Sequence, residues 1–411
     1  MRTLLLHPNF PGQFRQLAPA LKAVGHDVVG VGARAQPWAD TGVPYHCSGG
    51  DPHNDLRLSN PEMRLTAQLA QGRRVARILQ RLADQGWRPD VVMVHPFWGD
   101  GLFLDDVFPG VPLLAVLELD FQGLELERFD PEFSRGAADD FGANLALRQW
   151  ADQMAIRRMQ QGVTATLFQR STFPSWQQPR IAVIHEGVDL GLCRPDPLAR
   201  LTLPSGLCLR QGDPVVSFGS RSLEPLRGIA SFLRCLPLLQ RDHSSVQVVV
   251  AGQDGHSYGP PPPAGVGSWR ELLKRELGDR VDWSRVHFVG HLPHGQLLKL
   301  FQITQAHVYL TYPYVLSWSA LEAMACGAPL VGSATAPVQE VIEHGVNGWL
   351  VPFFDSDALA RRLLAVLGDP AGQTGIRMAA RRRVEADFEL SRCTTRQMQL
   401  LEQVAQAGVG R

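Results

Sequence analysis

Y-P-Y-V-L-S-W-S-A-L-E-A-M-A-C-G-A-P-L-V-G, residues 312–332, is the stretch that decides the fold class. It starts as a loop, continues as a short helix at Ser319–Cys326 and ends in an apolar strand at Pro329–Gly332. A strand at His307–Leu310 precedes it, so strand, helix and strand follow in immediate succession. Unbroken apolar runs joined by helices indicate parallel strands buried on both faces. The same alternation extends outward on either side. Val215–Phe218, Val246–Ala251 and Val286–Val289 read as strands, with helices at Ile229–Leu239, Trp269–Leu277 and Gln296–Gln302. Downstream come a helix at Val338–His344, a strand at Gly348–Val351, a helix at Asp355–Leu367 and a basic helical stretch at 376–407. G-P-P-P-P-A-G, 259–265, is a stiff surface loop.

The first half repeats the pattern. Strands are expected at Thr3–Leu6, Asp27–Val31, Val91–Val94, Leu113–Leu117, Val163–Phe168 and Ile181–Ile184, with helices at Phe14–Val24 and Phe141–Met159. Residues 194–214 are rich in Pro and Gly and lack periodicity, which places a boundary near 190–212. The expected class is α/β: two Rossmann-like, doubly wound parallel-sheet domains, 1–190 and 191–390, facing across a cleft, with a helix at 391–411 crossing back to the first.

Bulk properties narrow the function. The 411 residues suit two domains, and 45% hydrophobic content supplies two cores. Lys+Arg and Asp+Glu are 40 each, so the basic excess of a nucleic-acid coat is missing. The start holds only three consecutive leucines, short of a secretory signal, and no run approaches a membrane span. A cytoplasmic protein is expected. The six cysteines are scattered without metal-ligand spacing, which predicts reduced thiols.

Two segments carry chemistry. In S-F-G-S-R-S-L-E-P-L-R-G, 217–228, Arg221 and Arg227 follow a strand end, and Gly228 opens the next helix. Guanidinium forks beside a helix N-terminus can clamp a diphosphate; two solvated loop arginines are the alternative. In 312–332, Ser317 and Ser319 are N-cap candidates for a helix that carries Glu322 in its first turn. Glu322 can accept hydrogen bonds from ribose hydroxyls, or merely complement the helix dipole.

These segments, together with A-P-V-Q-E-V-I-E-H-G-V-N-G-W-L-V-P (336–352) and I-H-E-G-V-D-L-G-L-C-R-P (184–195), resemble the family 4 retaining glycosyltransferases of GT-B fold. L-H-P-N-F-P-G-Q-F-R-Q-L-A-P-A-L (6–21) resembles that family's glycine-bearing first loop. The resemblance implies transfer of a sugar from a nucleotide-diphosphate donor to an acceptor hydroxyl with retention, using no metal and no other cofactor. It places Arg221 and Arg227 on the donor diphosphate and Glu322 on the ribose. It sets the backbones of Ser317, Trp318 and Ser319 near the phosphates, and Val289 and His291, from F-V-G-H-L (288–292), at the base. Gly12 and Gln13 match the loop that approaches phosphate or acceptor. His95, in V-H-P-F-W-G-D (94–100), matches the histidine near the sugar, and Glu118 ends the next strand where it could orient an acceptor hydroxyl. The first glutamate of the family's E-x7-E pattern falls on Tyr314, a departure that bears on the donor sugar.

The acceptor class stays open among glycan, lipid-linked, protein and small-molecule hydroxyls, with loops 33–62 and 121–140 expected to select it. The basic run at 377–383 is expected to be a solvated helix face in preference to a peripheral membrane contact, and Asp139–Asp140 is not expected to bind metal. Alternatives are a non-catalytic sugar-nucleotide-binding partner subunit, or an epimerase or phosphorylase on the same fold. A dehydrogenase ranks low because no G-x-G-x-x-G follows the first strand.

Overall fold

The computed structural model describes residues 1–51, 60–120, 129–133, 147, 150 and 152–409. The chain forms two compact units. One comprises Met1–Glu125, Gly136–Gly187 and Ser391–Arg411; the other comprises Leu126–Arg135 and Val188–Leu390.

In the first unit, β1 (Arg2–Leu6) leads to α1 (Leu17–Ala23), β2 (Asp27–Gly32), β3 (Tyr45–Cys47) and the long α2 (Pro61–Asp84). β4 (Val91–Val94), β5 (Leu113–Val116), β6 (Gln161–Thr164), α3 (Leu167–Ser171) and β7 (Ile181–Val183) follow. All seven strands are parallel, in the order β3-β2-β1-β4-β5-β6-β7. Successive strand residues point to opposite faces. Leu4, Leu6, Val92 and Val94 therefore pack on Val75, Ile78 and Leu79 of α2. Leu5 and Met93 face Phe14, Leu17 and Leu21 instead. Asn60 starts α2 as an N-cap, accepting from the N–H groups of Glu62 and Met63.

The second unit opens with an antiparallel hairpin, β8 (Arg200–Thr202) and β9 (Cys208–Arg210). Then come β10 (Val215–Ser222), α4 (Ile229–Asp242), β11 (Gln247–Gln253), α5 (Trp269–Leu277), β12 (Val286–Gly290), α6 (His294–Ile303) and β13 (Ala306–Tyr309). α7 (Trp318–Ala325), β14 (Leu330–Ser333), β15 (Trp349–Val351), α8 (Ser356–Gly368) and α9 (Gln373–Asp387) complete it. Its parallel sheet has the order β12-β11-β10-β13-β14-β15. The last helix, α10 (Leu390–Val409), puts Leu400, Leu401, Val404 and Ala405 into the first unit's core beside Leu5 and Phe10.

Both sheets reverse direction beside their first strand, between β1 and β4 and between β10 and β13. The carboxyl ends of those strand pairs are where doubly wound sheets bind ligands.

Several sequence expectations shift. The Pro/Gly-rich stretch 194–214 is no linker. Its R-L-T-L segment alternates, burying Leu201 and Leu203 with Leu209 against Val215 and Val249 of the second core. β10 does not end at Phe218; it runs through Gly219 to Ser222 with a register shift against β11. Phe168 lies in α3, not in a strand, because Thr166 caps that helix through Gln169 N–H. The helix expected at Val338–His344 is a single turn, Ala336–Gln339. The stretch 376–407 is two helices, parted where Glu389 bridges Val188. The basic run on α9 is not simply a solvated face. Arg377 donates to Gly327 O (2.8 Å), and Arg381 to Ala325 O (2.7 Å) and Cys193 O (3.1 Å). The bonds to Ala325 O and Gly327 O satisfy carbonyls that the C-terminus of α7 leaves without intrahelical donors, and the bond to Cys193 O ties a remote turn to the same helix. Residues 129–133 belong with the second unit despite their place in the first half. Asp130 accepts from the Tyr312 hydroxyl, and both Glu132 oxygens accept from Arg234 at 2.6 Å. The pair Asp139–Asp140, most of 121–140 and much of the helix expected at Phe141–Met159 lie outside the described residues. Among the described residues, no helix is long and apolar enough to cross a membrane.

Candidate functional site

At the first switch point, the pairing of Leu6 with Val94 sets the next residue of each strand, His7 and His95, side by side. Their ring centroids are 5.0 Å apart, and Trp98 lies 4.5 Å from His95. Asn9 N–H donates to His7 Nδ1 (2.9 Å), which fixes the proton of the neutral ring on Nε2. His7 Nε2 then donates to Gln13 Oε1 (2.7 Å), and Gln13 Nε2 donates to Glu118 Oε1 (2.9 Å). His95 Nε2 lies 3.5 Å from the same oxygen, with the imidazole fully buried and Glu118 part-exposed. Two of the expected residues, Gln13 and Glu118, are thus joined with His7 in one hydrogen-bonded network, and the third, His95, lies against it. His7 is the member that sequence reasoning passed over; its position at a strand end, equivalent to that of His95, was the available signal.

Gly12 stands against the His7 ring. A Cβ there would stand 2.4 Å from His7 Nε2, and its φ is +48°. The absence of a side chain lets the loop pass close to the His7 imidazole. Behind His95, Asp100 is buried and accepts from Gln71 Nε2 (3.1 Å). Burial pushes its carboxyl up to about 6, opposed by the Gln71 hydrogen bond. A separate cavity of about 500 Å³, lined by Arg74, Arg77 and Arg81 of α2 with Cys47 and Ser48, flanks the edge strand β3 instead of the switch point.

At the second switch point, Arg227 sits in a short turn before α4. Its Nη1 donates to Thr311 Oγ1 (3.0 Å) and Val315 O (3.2 Å), both from the segment after β13. Its guanidinium carbon lies 5.5 Å over the Tyr314 ring. Tyr314 in turn lies 5.3 Å from Tyr258, whose hydroxyl is 3.4 Å from Arg221 Nη1. The two arginines are therefore brought to one pair of tyrosines, and neither forms an ion pair among the described residues. Tyr314 attracts the Arg227 cation through its ring face without cancelling its charge, as a glutamate there would. Gly228 caps α4 at φ +75°, and a Cβ would lie 2.4 Å from the Leu310 side chain, so only glycine lets the helix start this close to β13.

Glu224, also missed from sequence, is buried at 1% exposure. One of its oxygens accepts from the N–H groups of Ser257 (2.9 Å), Tyr258 (3.2 Å) and Gly259 (2.9 Å). It ties the Tyr258 loop to the arginine loop.

Ser317 occupies the N-cap of α7, but its hydroxyl pairs with Ser319 Oγ (2.8 Å) and makes no capping bond. The helix begins at Trp318, so Ser319 lies inside it and Glu322 falls beyond the first turn expected for it. Glu322 Oε1 meets His294 Nε2 at 3.0 Å. Val289 is in β12 and His291 is exposed just after that strand.

Two Rossmann-like units, the second with Arg221 and Arg227 beside its switch point, are the frame of a nucleotide-sugar-dependent transferase. Family models agree along most of the chain: "Glycosyl transferase family 4 group" matches residues 25–192 and "Glycosyl transferases group 1" residues 209–383. The chain is 27% identical over 396 residues to the glycogen synthase of Mycobacterium tuberculosis, covering 91% of this chain and 86% of that one. Among solved structures, it superposes on sucrose-phosphate synthase from Thermosynechococcus elongatus with TM-score 0.75 at 19% identity, covering 99% and 100% of the two chains. HepE of Anabaena, solved with UDP-glucose, gives 0.67 at 18% identity, with 98% and 100% covered. The chain belongs to the family 4 glycosyltransferases and has the GT-B fold.

Proposed function

We propose that the protein transfers a sugar from a nucleotide-diphosphate donor to an acceptor hydroxyl, with retention of anomeric configuration and without a metal ion. The observation that carries this is Arg227, held by neutral partners at the β10/β13 switch point and unpaired with any carboxylate among the described residues. Glycosyl transfer builds positive charge on the sugar ring and negative charge on the leaving diphosphate. Arg227, Arg221 and the N-termini of α4 and α7 supply fixed positive charge for that leaving group, which is the task a metal performs elsewhere. Glu322 takes the ribose hydroxyls, exchanging its His294 contact for them. Val289 and His291 meet the base through backbone groups.

In the first unit, His7 and Gln13 hold the Glu118 carboxylate by hydrogen bonds, with the buried His95 imidazole 3.5 Å from it. These groups orient the acceptor hydroxyl and the sugar, while the leaving phosphate takes the acceptor's proton. Retention follows from this front-face path. Tyr314 in place of the family's usual glutamate alters the donor-sugar contact, so the sugar differs in what it offers to that position. The relatives point to nucleotide donors: HepE is solved with UDP-glucose and with UDP.

The test is calorimetric binding of UDP, ADP, GDP and dTDP to the full chain, followed by turnover of the matching nucleotide sugars in excess chelator. Binding of one diphosphate, chelator-resistant turnover and a product of unchanged anomeric configuration by NMR are expected. An inverted product, or activity abolished by chelator and restored by magnesium, overturns the mechanism.

A further inference from the structure

One group of side chains in the second unit is not used by the transfer mechanism as a group. Cys193, His294 and Glu322 each offer one ligand atom, and those atoms all lie within 4.8 Å of one another. They come from three distant segments. Cys193 is in a turn, its N–H donating to Asp189 O (2.7 Å) and its carbonyl accepting from Arg381 (3.1 Å). His294 opens α6 and Glu322 lies on α7. The cluster has an inner and an outer side. Cys193 is buried at 1% exposure, whereas the His294 side chain is 44% exposed and that of Glu322 18%. The Cys193 thiol also neighbours Cys326, on the turn that ends α7.

Sulfur, imidazole nitrogen and carboxylate oxygen together form the donor set of a borderline-soft divalent cation, and exclude the hard cations that take oxygen alone. Metal–ligand bonds of about 2.0–2.3 Å place ligand atoms roughly 3–4 Å apart; His294 Nε2 and Glu322 Oε1 stand at 3.0 Å, and the whole set, within 4.8 Å, closes on a cation by small side-chain shifts. All three residues are fixed by backbone bonds or helices, as a preformed site requires. The exposed side at His294 leaves an entry path and a position for water.

We infer that Cys193, His294 and Glu322 form a binding site for a Zn²⁺-class cation, and that its occupancy antagonises nucleotide binding. On binding, the thiol proton of Cys193 passes to solvent, and the His294–Glu322 hydrogen bond gives way to two metal–ligand bonds. No electron is transferred. The antagonism rests on the assignment of Glu322 to the ribose, because a carboxylate bound to metal no longer accepts ribose hydroxyls; the metal site itself does not rest on it.

The experiment uses the full chain with the exposed thiols removed by Cys47→Ser and Cys208→Ser, under a phosphine reductant. Co²⁺ is titrated first. The expected result is a thiolate-to-cobalt charge-transfer band saturating at one cobalt per chain and displaced by Zn²⁺. Cys193→Ser abolishes the band, and His294→Gln, at an exposed position that folding tolerates, weakens binding by at least about tenfold. Absence of the band, or its persistence in Cys193→Ser, overturns the site. The diphosphate that binds best is then titrated with and without saturating Zn²⁺. A rise in its Kd of about tenfold or more is expected from mass action. A cysteine-dependent cobalt band with unchanged nucleotide affinity leaves the metal site standing and overturns the antagonism, and with it the placement of ribose on Glu322.

Discussion

Replacing Arg227 tests the donor site most directly. Its Nη1 is committed to Thr311 Oγ1 at 3.0 Å and Val315 O at 3.2 Å, and its guanidinium carbon lies 5.5 Å over the Tyr314 ring. The rest of the fork is left for a phosphate. A hydrogen bond to a charged group contributes about 1.5–3 kcal/mol, and a bidentate contact supplies two that do not add fully. Loss of about 3–4 kcal/mol from the transition state lowers kcat/KM by roughly 100- to 1000-fold, at a factor of ten per 1.36 kcal/mol. Arg227→Ala is expected to show that loss. Its Kd for the nucleoside diphosphate weakens less, about 10- to 30-fold, because the ground state carries less charge to stabilise. The Kd for the nucleoside alone does not move. Arg227→Lys falls between, since an ammonium keeps the charge but not the fork. The measurements are steady-state turnover of the nucleotide sugar and calorimetric titration of diphosphate and nucleoside, with thermal unfolding as the check on folding. Arg227→Ala within threefold of wild type in kcat/KM, or an equal loss for diphosphate and nucleoside, refutes the assignment.

Glu322→Gln is expected to raise the Kd of the nucleoside diphosphate by about tenfold, and to bind the 2′,3′-dideoxy diphosphate as wild type does, both read by calorimetry. Gly12→Ala drives a Cβ to 2.4 Å from His7 Nε2 at a φ of +48°. A loss of about 1–3 kcal/mol in denaturant unfolding is expected, partly relieved in the double variant with His7→Ala. His307, buried in β13 with Nδ1 2.8 Å from Ser217 Oγ, is pushed down to about 3 by desolvation. The unfolded histidine gains its proton below about 6.5, while the folded one stays neutral until about 3, so the unfolded state holds more protons in that window and stability falls as pH drops through it. The stability difference between wild type and His307→Gln should shrink by about 2 kcal/mol between pH 7.5 and pH 5, measured by denaturant titration at each pH.

Much of the frame was legible without coordinates. The apolar runs became strands of two parallel sheets, and Trp269–Leu277 forms a helix with the bounds its periodicity gives, because Ser268 caps it through Glu271 N–H. Arg227 and the cap of α4 at Gly228 could be placed after a strand because strand, turn and helix onset are encoded by neighbours in sequence, whereas Arg221, expected in the loop, lies within β10 because that strand continues past Phe218 to Ser222. Even locally the limits show. Ser317 and Ser319 were equivalent cap candidates, and the choice between them moves Glu322 by half a turn of helix. It was made by Tyr309, whose hydroxyl accepts from Ser317 N–H at 2.7 Å.

Other features depend on pairing and register between remote segments, which local periodicity does not encode. His7 meets His95 only because β1 lies beside β4 with Leu6 opposite Val94. Asp130 finds Tyr312, and Arg381 caps α7, across long stretches of chain. Cys193, with no partner at metal spacing in sequence, reaches His294 and Glu322 through the packing of α6 and α7. The sequence determined the α/β class, the family and the residue types available at the strand ends. The tertiary structure decided which of those residues touch, because contacts between distant segments arise from how the sheets are ordered and how the helices pack on them.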